Sequence, residues 1–265
     1  MIRQTKAMVV VSFGTTLASA RKTCIESIER DMRQSFPQYD HYRVFTSQFV
    51  RRRLASEGIE APSLEEVLKQ LQQDGYQEVL VQVTHVTAGQ EFSDKVIAVL
   101  ERCKGMFATL RIGRPLLERP EDYTALVAAL QEQIENLAQG QALLLMGHGS
   151  PNRENPAYER LQQEFDKGSE QVVVGALEEN CHPNLDDAIK LLLQRRVCKV
   201  KLLPLLLVCG DHVLRDMLGA QAESWLNQLR TAGFEVEFEK TGLGERVAVR
   251  NLYIQHARDA LTEAE

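Results

Sequence analysis

Short apolar segments alternate with longer amphipathic segments along the whole chain, and this alternation constrains the fold more than any other feature. Residues 7–12 form a continuous, β-branched run, which is typical of a strand covered on both faces. The amphipathic stretch 18–36 is followed by Pro37 and predicts a helix. Because strands that alternate with helices build βαβ units, the sequence predicts an α/β fold with mostly parallel sheets flanked by helices.

The same alternation continues to the end of the chain. Further strands are predicted at 41–47, 78–84, 107–112, 142–146, 171–177, 199–208 and 234–239. Further helices are predicted at 63–73, 90–102, 121–137, 186–196 and 247–264, with one more ending near 167 and another beginning near 211. Ser63 and Glu66 have the spacing of a capping box. Pro204 cannot donate a hydrogen bond to a sheet, so we expect it near a sheet edge or at a bulge.

The two halves of the chain have related turns where strands end. The paired segments are Ser12-Phe13-Gly14 with Gly147-His148-Gly149, and Gly89-Gln90-Glu91 with Gly210-Asp211-His212. Aligning their glycines places Phe13 against His148 and Glu91 against His212. This diverged repeat predicts two similar lobes with a cleft between them. The first lobe comprises residues 1–120, joined by the C-terminal helix 247–264, and the second comprises residues 121–246.

Composition and charge restrict the class of protein. The net charge is −6, from 31 basic and 37 acidic residues, which argues against a general nucleic-acid binder. No apolar run approaches the ~20 residues of a membrane span, and Gly14 interrupts the only segment that resembles a secretory leader. The five cysteines are scattered without a CxxC pair, which is typical of a reduced protein. We therefore expect a cytoplasmic protein that binds neither nucleic acid nor membranes.

Two histidines stand out because each follows a predicted buried strand. His148 lies between Gly147 and Gly149, and glycines let the backbone turn sharply and a ligand approach closely. His212 follows Gly210-Asp211 after the most apolar run of the chain. An exposed histidine at a helix start is the alternative for His212, and its match to Glu91 in the repeat favours a functional role. Ligands of open α/β sheets bind beyond the carboxyl ends of strands, where these turns lie.

Two carboxylates and a third histidine are weaker candidates. Glu91 and Glu178 follow strand ends, although a single glutamate is more often a solvated charge. His85 also follows a strand, and a hydrogen-bonded turn histidine is nearly as good an interpretation as a functional one. Two imidazoles with one or two carboxylates suit a divalent metal. Because the sequence contains no local ligand pair such as HExxH, these residues would converge only in the fold.

Other motifs are less specific. The segment 242–247 lacks the third glycine of a dinucleotide-binding fingerprint, and no Walker A sequence supports the use of ATP. The run Arg51-Arg52-Arg53 is a solvated helix face by default, but its place after a strand end would let a polyanion reach it. A second basic stretch contains Arg111, Arg114 and Arg119.

Taken in order, the motifs resemble one known family nearly from end to end. They are VVVSFGT at 9–15, HVTAGQE at 85–91, MGHG at 146–149, GALE at 175–178, LVCGDH at 207–212, SW at 224–225 and GLGE at 242–245. This ordered set resembles the anaerobic sirohydrochlorin cobaltochelatases, the class II chelatases of cobalamin biosynthesis. The resemblance implies two similar α/β lobes with a cleft, in agreement with the repeat.

The resemblance also implies an activity and a set of site residues. The activity is insertion of Co²⁺ into sirohydrochlorin, or precorrin-2, without ATP and without an organic cofactor; divalent cobalt is a co-substrate. His148, His212, Glu178 and Glu91 match the metal-site residues of the family, and Cys209 raises the question of a thiolate contribution. His148 would bind the metal, accept a pyrrole proton, or do both in sequence.

The remaining expectations concern the substrate and the alternatives. His85 is a candidate proton relay, and candidate substrate contacts are Ser12, Phe13, Gly14, Arg51 and Arg114. Because sirohydrochlorin is a polycarboxylate and the chain is acidic, its attraction would have to be local to the two basic stretches. Iron insertion, a tetrapyrrole or metal carrier without turnover, and a metal-dependent hydrolase remain alternatives, and a homo-oligomer remains open.

Overall fold

The computed structural model describes residues 5–149, 156–178 and 180–262. The chain forms two compact units, Met1–Glu118 with Gly244–Glu265, and Arg119–Leu243. Parts of both predicted lobes lie outside the described residues, namely residues 1–4 and 263–264 of the first lobe and residues 150–155 and 179 of the second.

The first unit is built on a four-stranded parallel sheet. Its strands are β1 (Lys6–Ser12), β2 (Asp40–Phe45), β3 (Glu78–Val83) and β4 (Thr109–Gly113), in the order β2-β1-β3-β4. The central strand β1 is buried along almost its whole length, as its continuous β-branched run predicts.

The helices of the first unit cover this sheet. They are Ala18–Ala20 and Glu26–Ser35 with a π-helical turn Arg21–Ile25 between them, Gln48–Ser56, Leu64–Gln73, Gln90–Phe92 and Ala98–Arg102 with a π-helical turn Ser93–Ile97 between them, and Val247–Thr262. The capping box predicted at Ser63 and Glu66 is present. Helix Gln48–Ser56 contains Arg51-Arg52-Arg53, in agreement with their interpretation as a helix face, but its bounds were not predicted because its apolar positions are few. Ser47 caps it by accepting a hydrogen bond from the Val50 N–H.

The second unit repeats the sheet of the first. Its strands are β5 (Gln141–Gly147), β6 (Val172–Ala176), β7 (Lys199–Pro204) and β8 (Glu235–Phe238), all parallel, in the order β6-β5-β7-β8. If β5 corresponds to β1, this is the strand order of the first unit. The predicted α/β class with two similar halves is therefore confirmed.

The helices of the second unit depart most clearly from the prediction at residues 121–137. They are Pro120–Ala129, Gln131–Glu135, Ala157–Asp166, Leu185–Gln194, a π-helical turn Val213–Met217 and Trp225–Thr231, and a 3₁₀ turn Leu243–Glu245 follows β8. The single helix predicted at 121–137 is wrong, because the backbone leaves helical geometry at Leu130 (φ −104°, ψ 3°). Leu130 is buried, and its apolar side chain made the two helices look like one periodic segment.

Pro204 occupies a different place from the expected one. Strand β7 lies between β5 and β8 and is not an edge strand, and Pro204 is its last residue. The ladder to β8 ends at Leu202 and Phe238, before Pro204 is reached. The Leu205 N–H donates to Met146 of β5, so the missing N–H of Pro204 falls on the β8 side, beyond that ladder. An interior strand therefore accommodates the proline at its end.

The C-terminal helix Val247–Thr262 packs on β3 and β4 of the first unit. The buried Tyr253 hydroxyl donates to the carbonyl of Thr84, just after β3. This contact fastens the end of the chain to the carboxyl edge of the first sheet. None of the helices within the described ranges is long and apolar enough to cross a membrane.

Candidate functional site

The turn after β5 presents His148 between two glycines that have no room for a side chain. Gly147 lies against the ring of Tyr158, and Gly149 has a left-handed backbone (φ 89°) with Cys181 and Glu178 packed where a Cβ would be. The Gly149 N–H donates to the Tyr158 hydroxyl over 3.3 Å. Burial raises the pKa of Tyr158 to about 12, so the phenol keeps its proton at neutral pH. The backbone around His148 is therefore firmly held while its side chain is half-exposed.

His212 brings a second imidazole against the first. The ring centroids of His148 and His212 are 4.6 Å apart, and the rings meet edge to face at 85°. Both residues belong to the second unit, and 63 positions of sequence separate them. The turns after β5 and β7 thus bring together the two histidines that the sequence singled out.

In each of the two imidazoles, Nδ1 makes a hydrogen bond and Nε2 is available to a ligand. The Nδ1 of His148 lies 3.2 Å from the carbonyl oxygen of Gly149, and the Nδ1 of His212 lies 2.7 Å from Asp216 Oδ2. A carbonyl or a carboxylate oxygen can only accept, so each Nδ1 carries the proton. In the neutral ring Nε2 then has a lone pair, and both histidines can act as ligands through Nε2.

Glu178 lies beside this pair on the turn after β6. Its Oε1 is 4.0 Å from His148 Nδ1, and its backbone N–H donates to the His148 carbonyl. A second bond, from Leu177 N–H to the Gly147 carbonyl, ties the two turns together. Within the described part of the chain, no group of three or more His, Cys, Asp and Glu side chains is placed so that it could hold a metal ion. The structure brings the two imidazoles together and leaves the Glu178 carboxylate beside them.

Glu91 and His85 belong to the first unit. Glu91 lies in the first turn of helix Gln90–Phe92, after the N-cap Gly89, and is partly exposed. His85 follows β3, and its ring centroid is 6.0 Å from that of Phe92. Both ring nitrogens of His85 are buried without a hydrogen-bond partner.

The turn after β1 repeats the backbone of the His148 turn. Gly14 has a left-handed backbone (φ 97°), as Gly149 has, and each glycine lies two residues beyond its strand. Phe13 therefore occupies the place of His148, and 51% of its surface is exposed. Ser12 is buried, and its hydroxyl accepts a hydrogen bond from Thr84.

The two basic stretches have different environments. Arg51 lies on helix Gln48–Ser56, where its Nη1 is 3.6 Å from Glu66 and its buried Nε has no hydrogen-bond partner. Arg114 forms a 2.7 Å ion pair with Asp259 of the C-terminal helix, and only 10% of its side chain is exposed. Arg111 donates to the carbonyls of Ala260 and Leu261 at the end of that helix. The second basic stretch thus helps to hold the C-terminal helix.

The family of this chain follows from comparison with known proteins. The description "Cobalt chelatase (CbiK)" matches residues 6–262, which is nearly the whole sequence. The chain belongs to the cobalt chelatase family. It is therefore a metal chelatase, as the ordered motifs predicted.

Two relatives of this cobalt chelatase span almost its full length. A sirohydrochlorin cobaltochelatase of Salmonella typhimurium is 34% identical over 260 residues, covering 98% of this chain and 97% of that protein. The sirohydrochlorin cobaltochelatase CbiKC of Nitratidesulfovibrio vulgaris is 28% identical over 263 residues, covering 97% and 91% of the two chains.

Solved structures of chelatases share the fold. SirB from Bacillus subtilis with Fe³⁺ superposes with a TM-score of 0.65 at 14% identity, covering 96% of this chain and 95% of that one. CbiX, the terminal enzyme of sirohaem biosynthesis in denitrifying bacteria, gives a TM-score of 0.58 at 18% identity, covering 96% and 99%. At such low identity these matches establish the chelatase fold alone.

Two residues of the site escaped the sequence interpretation of this chelatase. Asp216 is the carboxylate partner of His212, and its spacing of four residues from a histidine at a helix start was the available signal. Tyr158 supports Gly149 from helix Ala157–Asp166, and nothing in the local sequence distinguishes it from a core tyrosine.

His85 is expected to make the chelatase acid-sensitive. Burial lowers the pKa of His85 to about 4, whereas an unfolded histidine titrates near 6.5. Between these values the unfolded chain binds a proton that the folded chain does not, so the free energy of unfolding falls as the pH falls from about 6.5 to 4. The total loss is about 3 kcal/mol. We expect His85→Leu to be more stable than the wild type at pH 4.5 in urea unfolding, and parallel pH curves would contradict this assignment.

Proposed function

We propose that this chelatase inserts Co²⁺ into sirohydrochlorin without ATP. The match to the cobalt chelatase family and the two sirohydrochlorin cobaltochelatases among its relatives support this function. The observation that carries the proposal is the imidazole pair of His148 and His212, because each ring has its Nδ1 engaged and its Nε2 available. No motif for nucleotide binding competes with this interpretation.

The donor set fits a metal that is a substrate. Imidazole nitrogens bind Co²⁺ well, and a carboxylate such as that of Glu178 offsets part of its charge. A metal that must be passed to a macrocycle needs open coordination positions, which a closed set of four protein ligands would deny it. Two imidazoles with one nearby carboxylate would leave coordination positions of the ion open. They would replace only some of the water molecules bound to it.

Insertion also requires that two pyrrole N–H groups lose their protons. A neutral imidazole titrates near pH 6.5 in water and can accept a proton as well as bind a metal. We assign His148 to one or both of these roles, and Glu91 to metal binding as a further prediction. His85 remains the predicted proton relay, and the rate of His85→Leu tests that role separately from its stability.

The polycarboxylate substrate needs local positive charge on an acidic chain. Arg51 is the better candidate of the two arginines predicted to bind it, because Arg114 is already engaged by Asp259. Phe13 offers an exposed aromatic ring that a planar macrocycle can stack on. The hydroxyl of Ser12 is occupied by Thr84, so we expect the Ser12-Phe13-Gly14 turn to act through Phe13.

Iron insertion into the same macrocycle is the second candidate function. The structural neighbours include SirB from Bacillus subtilis with Fe³⁺, and a SirB from the subspecies spizizenii in complex with cobalt. Imidazole and carboxylate ligands suit both metals, so the ligand types do not decide between them. The two relatives described above are both sirohydrochlorin cobaltochelatases, which favours cobalt.

Spectral titration tests the proposal. The purified chain is mixed at a low concentration with excess sirohydrochlorin and Co²⁺, Fe²⁺ or Ni²⁺, and the visible spectrum is followed against the reaction without protein. We expect many insertions per chain, fastest with Co²⁺. A spectral change that stops at one equivalent would make the protein a carrier, and no change would favour a hydrolase.

The compartment is a further prediction. All five cysteines carry thiols, which agrees with a reducing environment. We therefore propose that the protein works in the cytoplasm, with sirohydrochlorin and Co²⁺ as its small-molecule partners. Thiol titration of protein purified without reductant tests this point, and reproducible disulfide formation in the cell would contradict it.

A further inference from the structure

The two imidazoles of the site differ in what holds their Nδ1 nitrogens. His148 donates to the neutral backbone carbonyl of Gly149 over 3.2 Å, whereas His212 donates over 2.7 Å to the carboxylate of Asp216. A hydrogen bond to a carboxylate is shorter and stronger than one to a neutral acceptor. It also fixes the tautomer and makes the other ring nitrogen a stronger donor.

The backbone that carries His212 and Asp216 is anchored in the core. Val213 and Met217 are fully buried and lie in the π-helical turn Val213–Met217. His212 precedes Val213 by one residue, and Asp216 precedes Met217 by one residue. The two side chains therefore lie together on one face of the turn, next to the face that is buried, and this face is open to solvent. Short π-helical turns occur often at functional sites, because they reposition side chains without breaking the helix.

The first unit shows that the fold does not require a carboxylate at this place. When Gly89 is matched to Gly210, the buried residues Phe92 and Val96 of the first unit align with Val213 and Met217, and the π-helical turn Ser93–Ile97 begins one residue later than its counterpart. Counting from these anchors, Glu91 corresponds to His212 and the exposed Lys95 corresponds to Asp216. A π-helical turn thus forms in the first unit with a lysine at the aligned position, so such a turn does not by itself require the carboxylate of Asp216.

We infer that Asp216 is the positioning residue of the metal site, which makes His212 the anchoring imidazole of the pair. The carboxylate holds the ring through Nδ1 and leaves Nε2 for the metal, and its charge strengthens Nε2 as a donor. The Nδ1 of His148 is hydrogen-bonded to a neutral carbonyl, and the Glu178 carboxylate 4.0 Å from it is beyond hydrogen-bond distance. His148 is therefore the weaker donor and the imidazole that more easily gives up the metal. This inference rests on the proposed function and adds a division of roles between the two histidines.

Binding of Co²⁺ to the protein alone tests this inference without the insertion reaction. The d–d absorption of the bound ion is followed while Co²⁺ is added to the wild type and to Asp216→Asn, Asp216→Ala and Asp216→Glu. Loss of such a partner weakens metal binding by about 10–100-fold, and the partial exposure of Asp216 places the Asn variant near the lower figure. We expect the Ala variant to be weaker still and the Glu variant to recover part of the affinity.

A tautomer measurement separates positioning from a general structural role. Long-range ¹⁵N–¹H spectra of the metal-free, histidine-labelled protein at pH 8 should show His212 with its proton on Nδ1, and a mixture of tautomers in Asp216→Ala. The matched control is Asp186→Ala, which removes an exposed carboxylate from the first turn of helix Leu185–Gln194. This control should bind Co²⁺ as the wild type does.

The outcomes distinguish this inference from the proposed function. If Asp216→Ala binds Co²⁺ as tightly as the wild type while His212→Ala binds it weakly, the positioning role is overturned and the proposed site stands. If His212→Ala also binds Co²⁺ normally, both the inference and the metal site fail. Reduced affinity in both variants, with the altered tautomer of His212, supports the inference.

Discussion

Replacement of His148 by alanine is expected to lower the rate of Co²⁺ insertion by about 10²–10⁴-fold, the usual range for a positioned acid–base group. The side chain is one of two imidazoles whose rings meet at 4.6 Å, and its Nε2 is available for the metal or for a pyrrole proton. Alanine removes this nitrogen. We expect that His212 and Glu178, which have positions of their own at the site, do not take over its role. The measurement is the initial rate of the spectral change at saturating sirohydrochlorin and Co²⁺.

The change at His148 should leave the fold intact, because its side chain is half-exposed and the strands around it are held by their own ladders. Equal thermal unfolding of variant and wild type checks this point. The matched control is His182→Ala, which removes an exposed histidine of the same unit that is paired with Asp187. Its insertion rate should equal that of the wild type. A wild-type rate in His148→Ala would remove His148 from the mechanism.

Replacement of Arg114 by alanine is expected to lower the free energy of unfolding by about 3 kcal/mol, near the lower end for a broken buried ion pair. Arg114 is largely buried, and its Nη1 donates to Asp259 over 2.7 Å. Burial raises the pKa of Asp259, but the hydrogen bond from Gln255 and the ion pair with Arg114 outweigh it and lower the pKa overall. Without Arg114 that carboxylate loses its cationic partner. The first thermal transition should therefore fall by about 6–12 °C.

The kinetics of the Arg114 variant decide whether the residue also binds substrate. A purely structural residue leaves KM for sirohydrochlorin unchanged at temperatures well below the transition, whereas Arg51→Ala should raise KM. Arg52→Ala is the stability control, because Arg52 is an exposed neighbour on helix Gln48–Ser56. A raised KM in Arg114→Ala with an unchanged melting temperature would support a substrate contact for Arg114 and contradict its structural role.

The sequence was sufficient where short, local rules apply. Continuous apolar runs specified the buried strands β1, β5 and β6, because a strand covered on both faces must be apolar throughout. The glycines beside Phe13 and His148 marked turns that need a left-handed backbone, and Gly14 and Gly149 both have it. The repeat of these turns predicted two similar halves, and the two sheets share their strand order.

The sequence was insufficient where a side chain chooses a partner far away in the chain. Arg114 reads as a substrate contact, but Asp259 lies 145 residues further on and engages it. Helix Gln48–Ser56 has too few apolar positions to be recognised, yet Val50 and Leu54 bury enough surface to fix it. Leu130 continues the helical periodicity in the sequence and ends the helix in the structure. In each case tertiary packing overrides a local preference that is weak by comparison.

The sequence by itself determined the α/β class and the twofold repeat, and it predicted His148, His212, Glu178 and Glu91 as site residues, since strand ends and glycine turns are local features. Only the tertiary structure decided which nitrogen of each imidazole is available. That choice depends on hydrogen-bond acceptors, the Gly149 carbonyl and the Asp216 carboxylate, whose positions follow from the folded backbone. The sequence thus supplies the types of the candidate donor residues, and the packing of the turns after β5 and β7 sets the orientation of the two imidazoles.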